Sequence, residues 1–119
     1  MLLTVLRAKI HRATVTETNL EYIGSITIDE EVLQAADILP GERVQVVNIN
    51  NGHRFETYVL AGSPGSKTVG INGAAARLCA RGDKVIVISY ALMSYEEARC
   101  FKPRIVLLDD ENRIRESRG

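Results

Sequence analysis

The stretch Lys84-Val85-Ile86-Val87-Ile88-Ser89-Tyr90-Ala91 is the most strongly β-like part of the chain. Its β-branched and aromatic side chains favour an extended backbone. Residues 3–16 also carry many β-branched side chains and alternate in character, which predicts a long strand. Alternation along that strand places Lys9 and His11 on one face and Ile10 on the other. Extended segments are therefore expected to build most of the core.

Shorter strands and brief helices are predicted along the rest of the chain. The strands cover residues 44–49, 55–60, 68–71 and 104–109. Asn51-Gly52, between the first two, is typical of a tight hairpin turn. Asp29 can cap a helix that runs to about Leu39, where Pro40-Gly41 ends it. A helical turn over residues 74–78, a short helix at 96–99 and a charged, frayed tail at 111–119 complete the prediction.

Six or seven short strands, separated by turn signals and accompanied by two or three brief helices, predict a mainly β protein. The architecture expected from this pattern is a small closed β-barrel. A doubly wound parallel sheet would need longer crossover helices than this chain offers. The length of 119 residues fits one domain, residues 1–119.

The composition excludes several classes of protein. The 15 Lys and Arg residues balance 15 Asp and Glu residues, so nothing in the net charge attracts nucleic acid or anionic lipid. Cys79 and Cys100 lack the density of a disulfide scaffold and the spacing of a zinc site. The apolar N-terminus is too short for a signal-peptide core or a membrane span. We expect a soluble cytoplasmic protein with no metal, no nucleic-acid partner and no membrane partner.

Gly24-Ser25 joins a residue without a side chain to a hydroxyl. Glycine reaches backbone conformations that are closed to other residues, so its carbonyl can turn towards an attacking side chain. The Ser25 oxygen could then attack the Gly24 carbonyl and convert the amide into an ester. Because such dipeptides are also common in ordinary turns, the meaning of this one depends on its surroundings.

Four motifs occur in order along the chain. They are Lys9-Ile10-His11-Arg12-Ala13, Tyr22-Ile23-Gly24-Ser25-Ile26-Thr27-Ile28-Asp29, Asn51-Gly52-His53-Arg54-Phe55-Glu56-Thr57-Tyr58 and Asn72-Gly73-Ala74-Ala75-Ala76. Together they resemble the bacterial aspartate 1-decarboxylase family, pyruvoyl-dependent lyases that make β-alanine for pantothenate and coenzyme A biosynthesis. The resemblance spans almost the whole chain. It implies a closed, six-stranded double-psi β-barrel with short helices, assembled as a homotetramer with active sites at subunit interfaces.

The resemblance also implies a zymogen that cleaves itself between Gly24 and Ser25 to give chains 1–24 and 25–119. Ser25 attacks the Gly24 carbonyl, the ester eliminates, and position 25 becomes a covalent pyruvoyl group with loss of ammonia. This group is the only cofactor expected, without a metal or pyridoxal phosphate. It forms a Schiff base with L-aspartate, which loses carbon dioxide and yields β-alanine. Whether cleavage needs an accessory maturation protein stays open.

Family resemblance assigns roles to further residues. Tyr58 matches the proton donor, and Thr57 serves in both self-cleavage and substrate contact. The substrate-binding residues implied are Lys9, Arg54, Thr57, Gly73, Ala74 and Ala75. His11, Tyr22 and Asn72 are expected to support the site. Arg54 can grip a carboxylate with two parallel hydrogen bonds, and Lys9 adds a second positive charge, but which carboxylate each binds stays open.

Two features of the predicted site need a structural answer. Alternation along the strand puts Arg54 and Tyr58 on one face and Thr57 on the other. Either the strand bends or bulges there, or a neighbouring subunit supplies some of these residues. Val47 is a departure from the family, in which many members carry an aromatic residue, so that wall of the pocket is expected to be more open.

A binding module is the alternative function. A small dimeric β-barrel of the transcription-regulator kind would fit the predicted fold, and Arg7, Lys9, His11 and Arg12 form a basic cluster. The balanced charge and the lack of interleaved aromatic and basic residues argue against a nucleic-acid surface. The enzyme is therefore the favoured hypothesis.

Overall fold

The computed structural model describes all 119 residues, Met1–Gly119. Its nine strands are β1 (Leu2–Thr14), β2 (Glu17–Asn19), β3 (Ser25–Asp29), β4 (Arg43–Asn48), β5 (Arg54–Gly62), β6 (Val69–Asn72), β7 (Lys84–Ser94), β8 (Arg104–Leu108) and β9 (Ile114–Arg118). Two α-helices, α1 (Glu30–Ala36) and α2 (Tyr95–Cys100), and a 3₁₀ helix (Gly73–Leu78) complete the fold. The mainly β prediction and the three brief helices are confirmed, whereas the count of six or seven strands was too low.

The strands form one hydrogen-bonded series in the order β2-β6-β3-β5-β4-β7-β1-β8-β9. Five neighbouring pairs are antiparallel, and the pairs β1–β8, β2–β6 and β3–β5 are parallel. The two edge strands, β2 and β9, do not pair with each other. The strand pairing therefore describes an open sheet, and closure into a six-stranded double-psi barrel stays a prediction.

Strand β1 lies inside the sheet, paired with β7 on one side and β8 on the other. Ala8 and Ile10 are fully buried in a core cluster of 21 residues, while the alternate residues Lys9 and His11 are only partly buried. The predicted long strand and its alternation are thus confirmed. Register shifts interrupt the pairing with β7 after Leu6 and after Ile10, which lets the strand bend around the core.

Helix α1 is shorter than the sequence predicted. Asp29 caps it as expected, because its side chain accepts a hydrogen bond from the Glu31 backbone N–H. The helix ends at Ala36, since Asp37 adopts a left-handed conformation with φ of 59° and turns the chain away. The prediction that the helix reaches Leu39 was wrong, and Leu39 is 68% exposed.

The C-terminal tail is ordered rather than frayed. Asn112 has a φ of 61°, and its buried side chain bonds the backbone N–H and C=O of Thr14 and the C=O of Lys67. This clamp turns the chain back so that β9 pairs antiparallel to β8. The prediction of a frayed tail was wrong for Ile114–Arg118, although every residue of that strand is exposed. No helix is both long and apolar enough to cross a membrane.

Candidate active site

Ser25 is the first residue of β3, and it is fully buried. Gly24 before it is exposed and belongs to the segment that links β2 to β3. On one side Ser25 pairs with Asn72, the last residue of β6. On the other side β5 runs parallel to β3, in a register that matches Ile26 with Val59. The junction between Gly24 and Ser25 therefore lies where an exposed loop enters the sheet.

The Ser25 hydroxyl makes two hydrogen bonds. It donates to the backbone carbonyl of Ile23 at 2.9 Å and accepts from Nδ2 of Asn72 at 3.0 Å. Because Ile23 is two residues back, the first bond closes a ring that contains the carbonyl carbon of Gly24. The same Asn72 nitrogen also donates to Oγ1 of Thr27 at 3.0 Å. The hydroxyl oxygen is thus held beside the Gly24–Ser25 peptide by the backbone carbonyl of Ile23 and by the Asn72 amide.

Gly73 follows Asn72 and starts the 3₁₀ helix with a φ of 72°. A Cβ atom on Gly73 would lie 2.6 Å from the Cα of Gly24 and 3.3 Å from the carbonyl oxygen of Tyr22. The backbone around Gly24 is therefore in direct contact with the bare Cα of Gly73. Five predicted site residues meet here: Tyr22, Gly24, Ser25, Asn72 and Gly73.

Gly24 itself has an ordinary backbone in this state. Its φ lies outside the left-handed region, and an added Cβ would meet nothing within 4 Å. The conformational freedom that the sequence suggested for Gly24 is therefore not used in the folded chain. At this junction it is Gly73, with its positive φ and its close neighbour, that needs to be a glycine.

Thr57 and Tyr58 lie on β5, the strand beside β3. The register places Tyr58 level with Ser25, and Tyr58 is 38% exposed. Thr57 pairs with the buried Val44 of β4, on the core face of the sheet. The pairing of β4 with β5 runs without a register shift from Arg43 to Arg54. A bulge between β4 and β5 therefore does not explain how Thr57 could share a pocket with Arg54 and Tyr58, which lie on the opposite face of the strand.

Lys9 lies far from Ser25 along the sheet, whereas Arg54 lies on the strand next to it. Arg54 begins β5 and pairs with Val47, while Lys9 pairs with Ile88 of β7 and Ile105 of β8. Four strand spacings separate β1 from β3, roughly 19 Å along the sheet. Neither Lys9 nor Arg54 makes an ion pair within the chain. One chain therefore does not bring Lys9 to Ser25 along the sheet.

The remaining predicted residues lie either near Ser25 or near Lys9. Ala74 and Ala75 follow Gly73 in the 3₁₀ helix, and Ala75 packs on the core. His11 lies on β1, paired with Leu107, and its buried Nδ1 has no hydrogen-bond partner. Burial lowers the pKa of His11, and the charges of Lys9 and Arg12 lower it further. His11 belongs with Lys9 rather than with Ser25.

Two contributors to the site were missed from the sequence. Thr27 shares the Asn72 amide with Ser25, and the Ile23 carbonyl accepts from the Ser25 hydroxyl. Thr27 could have been predicted to lie beside Ser25, because residues two apart on a strand share a face. The Ile23 contact depends on the conformation of the loop, which the sequence pattern does not reveal.

A surface cavity of about 470 Å³ lies among strands β1, β4, β5 and β7. Its lining residues are Thr4, Arg43, Val44, Gln45, Glu56 and Tyr90. None of them is a predicted site residue. No group of three or more His, Cys, Asp or Glu side chains is arranged to hold a metal ion.

Comparison with known proteins gives a consistent result. The family model described as aspartate decarboxylase matches residues 1–115. The chain is 63% identical to the aspartate 1-decarboxylase of Pelotomaculum thermopropionicum, over 99% of this chain and 89% of the relative. It is 61% identical to that of Carboxydothermus hydrogenoformans, over 96% and 90% of the two chains. It is 57% identical to that of Thermoanaerobacter pseudethanolicus, over 92% and 93%.

Proposed function

The chain belongs to the aspartate decarboxylase family, and from this premise we propose that it converts L-aspartate to β-alanine and carbon dioxide, for pantothenate synthesis, after cleaving itself between Gly24 and Ser25. The observation that carries this proposal is the buried Ser25 hydroxyl, held by Asn72 beside the Gly24 peptide. The alternative of a nucleic-acid-binding module gains no support from the family.

Self-cleavage would start from the hydrogen bonds described above. The Ser25 oxygen forms a bond to the Gly24 carbonyl carbon, the C–N bond breaks, and the proton passes to the released nitrogen. The Asn72 donor fixes the position of the Ser25 oxygen, while the negative charge of the attack develops on the carbonyl oxygen of Gly24. Burial strengthens this donor, because water does not compete for Oγ. The ester that results can eliminate, which frees the carboxylate of Gly24 and ends the chain 1–24.

The residues around position 25 fit a pyruvoyl group. Asn72 has an amide N–H aimed at this position, and such a donor can bond a carbonyl oxygen as well as a hydroxyl. The same amide nitrogen also donates to Oγ1 of Thr27. When present, the group supplies an electrophilic ketone and an electron sink for decarboxylation of an amino acid. No other cofactor is needed for this chemistry.

Substrate recognition would come from the charged and turn residues. Arg54 has a planar guanidinium that can bind one carboxylate of aspartate through two parallel bonds, and Lys9 offers a second cation. Tyr58, level with Ser25 on the neighbouring strand, would return a proton to carbon. Thr57 would serve in self-cleavage and substrate contact. The turn at Gly73, Ala74 and Ala75 would provide backbone amides and a small-residue wall.

We infer that the site is completed between subunits of a homotetramer. Lys9 is four strand spacings from β3, so within one chain it lies apart from position 25 along the sheet. Thr57 faces the core, whereas Arg54 and Tyr58 on the same strand face outwards. The outer face also exposes large apolar side chains, among them Tyr58, Tyr90 and Leu92. Such a face suits contact with another copy. The parallel pairs β3–β5 and β1–β8 are compatible with the double-psi barrel proposed for each subunit.

Mass spectrometry of the purified protein, together with an assay for β-alanine, tests this function. We expect two chains, residues 1–24 and 25–119, with the larger one lighter by one ammonia than simple hydrolysis would leave it. β-Alanine should appear only with L-aspartate and cleaved protein. A chain that stays intact and inactive, or a larger fragment that keeps a serine amine, would contradict the proposal.

A further inference from the structure

Gly73 is buried, and its surroundings leave no room for a side chain. A Cβ there would lie 2.6 Å from the Cα and 2.8 Å from the N of Gly24, distances that real Cβ contacts essentially never reach. Both neighbours are backbone atoms, which cannot swing aside as the end of a flexible side chain can. Ordinary contact begins at 3.4 Å, so any side chain at Gly73 would push Gly24 away by about 0.8 Å.

Asn72 and Gly73 are consecutive, and each holds one of the two groups that must react. The Asn72 side chain holds the attacking oxygen of Ser25 at 3.0 Å. The Cα of Gly73 lies against Gly24, whose carbonyl carbon is the target. The pairing of Ser25 with Asn72 sets the register between these two contacts. The two consecutive residues Asn72 and Gly73, at the end of β6, therefore determine the position of the Ser25 oxygen relative to the Gly24 carbonyl.

We propose that Gly73 is a positioning residue for self-cleavage: its bare Cα supports Gly24 and keeps the Gly24 carbonyl within reach of Ser25 Oγ. This inference rests on the proposed self-cleavage and adds to it a function for Gly73 that is separate from substrate binding. The step needs no other reactant, because the oxygen–carbon bond forms as the carbon–nitrogen bond breaks and the hydroxyl proton ends on the nitrogen.

The contact requires glycine for two separate reasons, and they can be distinguished. The φ of 72° disfavours side chains other than Asn, Asp or His, whatever the space. The contact with Gly24 excludes every Cβ. Gly73→Ala violates both conditions, whereas Gly73→Asn largely meets the first and violates only the second. Gly82 provides a control, because it has a φ of 93° and no neighbour within 4 Å of an added Cβ.

The experiment follows cleavage of freshly translated wild type, Gly73→Ala, Gly73→Asn and Gly82→Ala by mass spectrometry, with thermal unfolding as the measure of folding. Both Gly73 variants should fold and cleave about 100-fold more slowly, because a misplacement near 1 Å can cost that factor. Gly82→Ala should cleave like the wild type. Restored cleavage in Gly73→Asn would overturn the proposal in favour of a backbone requirement alone.

Hydroxylamine locates the step that is affected, because it attacks esters but not amides. In the wild type it should capture the ester as a hydroxamate on Gly24. If Gly73 positions the carbonyl for attack, the Gly73 variants should give little hydroxamate. Abundant hydroxamate, or loss of folding in both Gly73 variants while Gly82→Ala folds, would overturn the inference and leave the function intact. A wild type that never cleaves would overturn both.

Discussion

Asn72 donates one hydrogen bond to Oγ of Ser25, at 3.0 Å, from the partner position of the neighbouring antiparallel strand. Both residues are buried, with 6% of Asn72 and none of Ser25 exposed. Water therefore does not compete for the bond, and the donor is worth more than it would be at the surface. The relationship between these two side chains is the basis of the first two predictions.

Replacing Ser25 by alanine removes the attacking oxygen. The chain should remain a single 119-residue molecule and form no β-alanine. It should still fold, because Asn72 keeps its bond to Thr27, with a loss of about 1 kcal/mol in the free energy of unfolding. Mass spectrometry and thermal unfolding are the measurements, and Ser63→Ala, in an exposed loop, is the control. Detectable β-alanine from the Ser25 variant would refute the assigned role.

Replacing Asn72 by aspartate keeps the shape of the side chain and removes its N–H donors. Self-cleavage should slow by up to about tenfold, because the bond that positions the Ser25 oxygen is worth about 0.5–1.5 kcal/mol. Thr27→Val is the matched control, since it removes the second acceptor of the Asn72 amide and leaves the bond to Ser25 in place. Time courses of cleavage would compare the two. Equal slowing in both variants would mean that the orientation of Asn72, rather than its donor to Ser25, is what matters.

Replacing Arg54 by lysine keeps the positive charge but removes the two parallel hydrogen bonds proposed between its guanidinium and a substrate carboxylate. KM for aspartate should rise about tenfold or more, because a hydrogen bond to a charged group contributes about 1.5–3 kcal/mol. Self-cleavage should be unaffected. Arg43→Lys is the control, as Arg43 is an exposed arginine paired with Glu56 on the same sheet face. A cleavage defect in the Arg54 variant would show that its proposed role is wrong.

Co-expression of two inactive variants tests the proposed interface site. Ser25→Ala chains lack the cofactor precursor but carry Lys9, and Lys9→Ala chains have the opposite defect. If Lys9 reaches Ser25 from a neighbouring subunit, mixed tetramers should recover activity, up to about one quarter of the wild-type level for random mixing. Each variant expressed alone is the control. No recovery, in tetramers verified to contain both chains, would mean that Lys9 acts within its own chain.

Acid should destabilise the fold partly through Glu42. Burial raises the pKa of this carboxyl, but hydrogen bonds from Ser89, Arg7 and the Leu39 backbone outweigh it and hold the pKa below its usual value. A group with a lowered folded-state pKa stabilises the fold above its unfolded value and loses that effect as the pH falls. Unfolding midpoints measured below pH 4.5 should therefore fall less for Glu42→Gln than for the wild type. The exposed Glu96→Gln should follow the wild type; identical curves for all three would contradict the argument.

The sequence predicted those parts of the fold that depend on local patterns. Alternation in β1 and the β-branched run of β7 identified two long strands, and Asp29 identified the start of α1. The errors came from tertiary contacts. The Asn112 clamp that forms β9 joins residues 98 positions apart in sequence, and no local pattern announces it. The end of α1 was missed because Asp37 takes a left-handed conformation without a glycine.

The candidate site shows the same division. The dipeptide at Gly24 and the motif at Asn72 could be recognised separately, but their contact depends on the pairing of β3 with β6. The requirement for glycine at position 73 is likewise invisible in the sequence, because the atoms that exclude a side chain belong to Gly24. Periodicity did reveal that Thr57 faces away from Arg54 and Tyr58, and that observation led to the interface proposal.

The interior position of β1 has a consequence for the molecule after cleavage. The fragment of residues 1–24 would include all of β1, hydrogen-bonded on both edges to strands of the larger fragment and carrying the buried Ala8 and Ile10. Breaking the chain at Gly24 would remove the covalent connection without loosening this strand. The short fragment could then leave only if the sheet itself unfolded. Covalent continuity would thus be needed to assemble the protein and would become dispensable once it has folded. Self-cleavage at Gly24, as proposed, would then leave the structure intact.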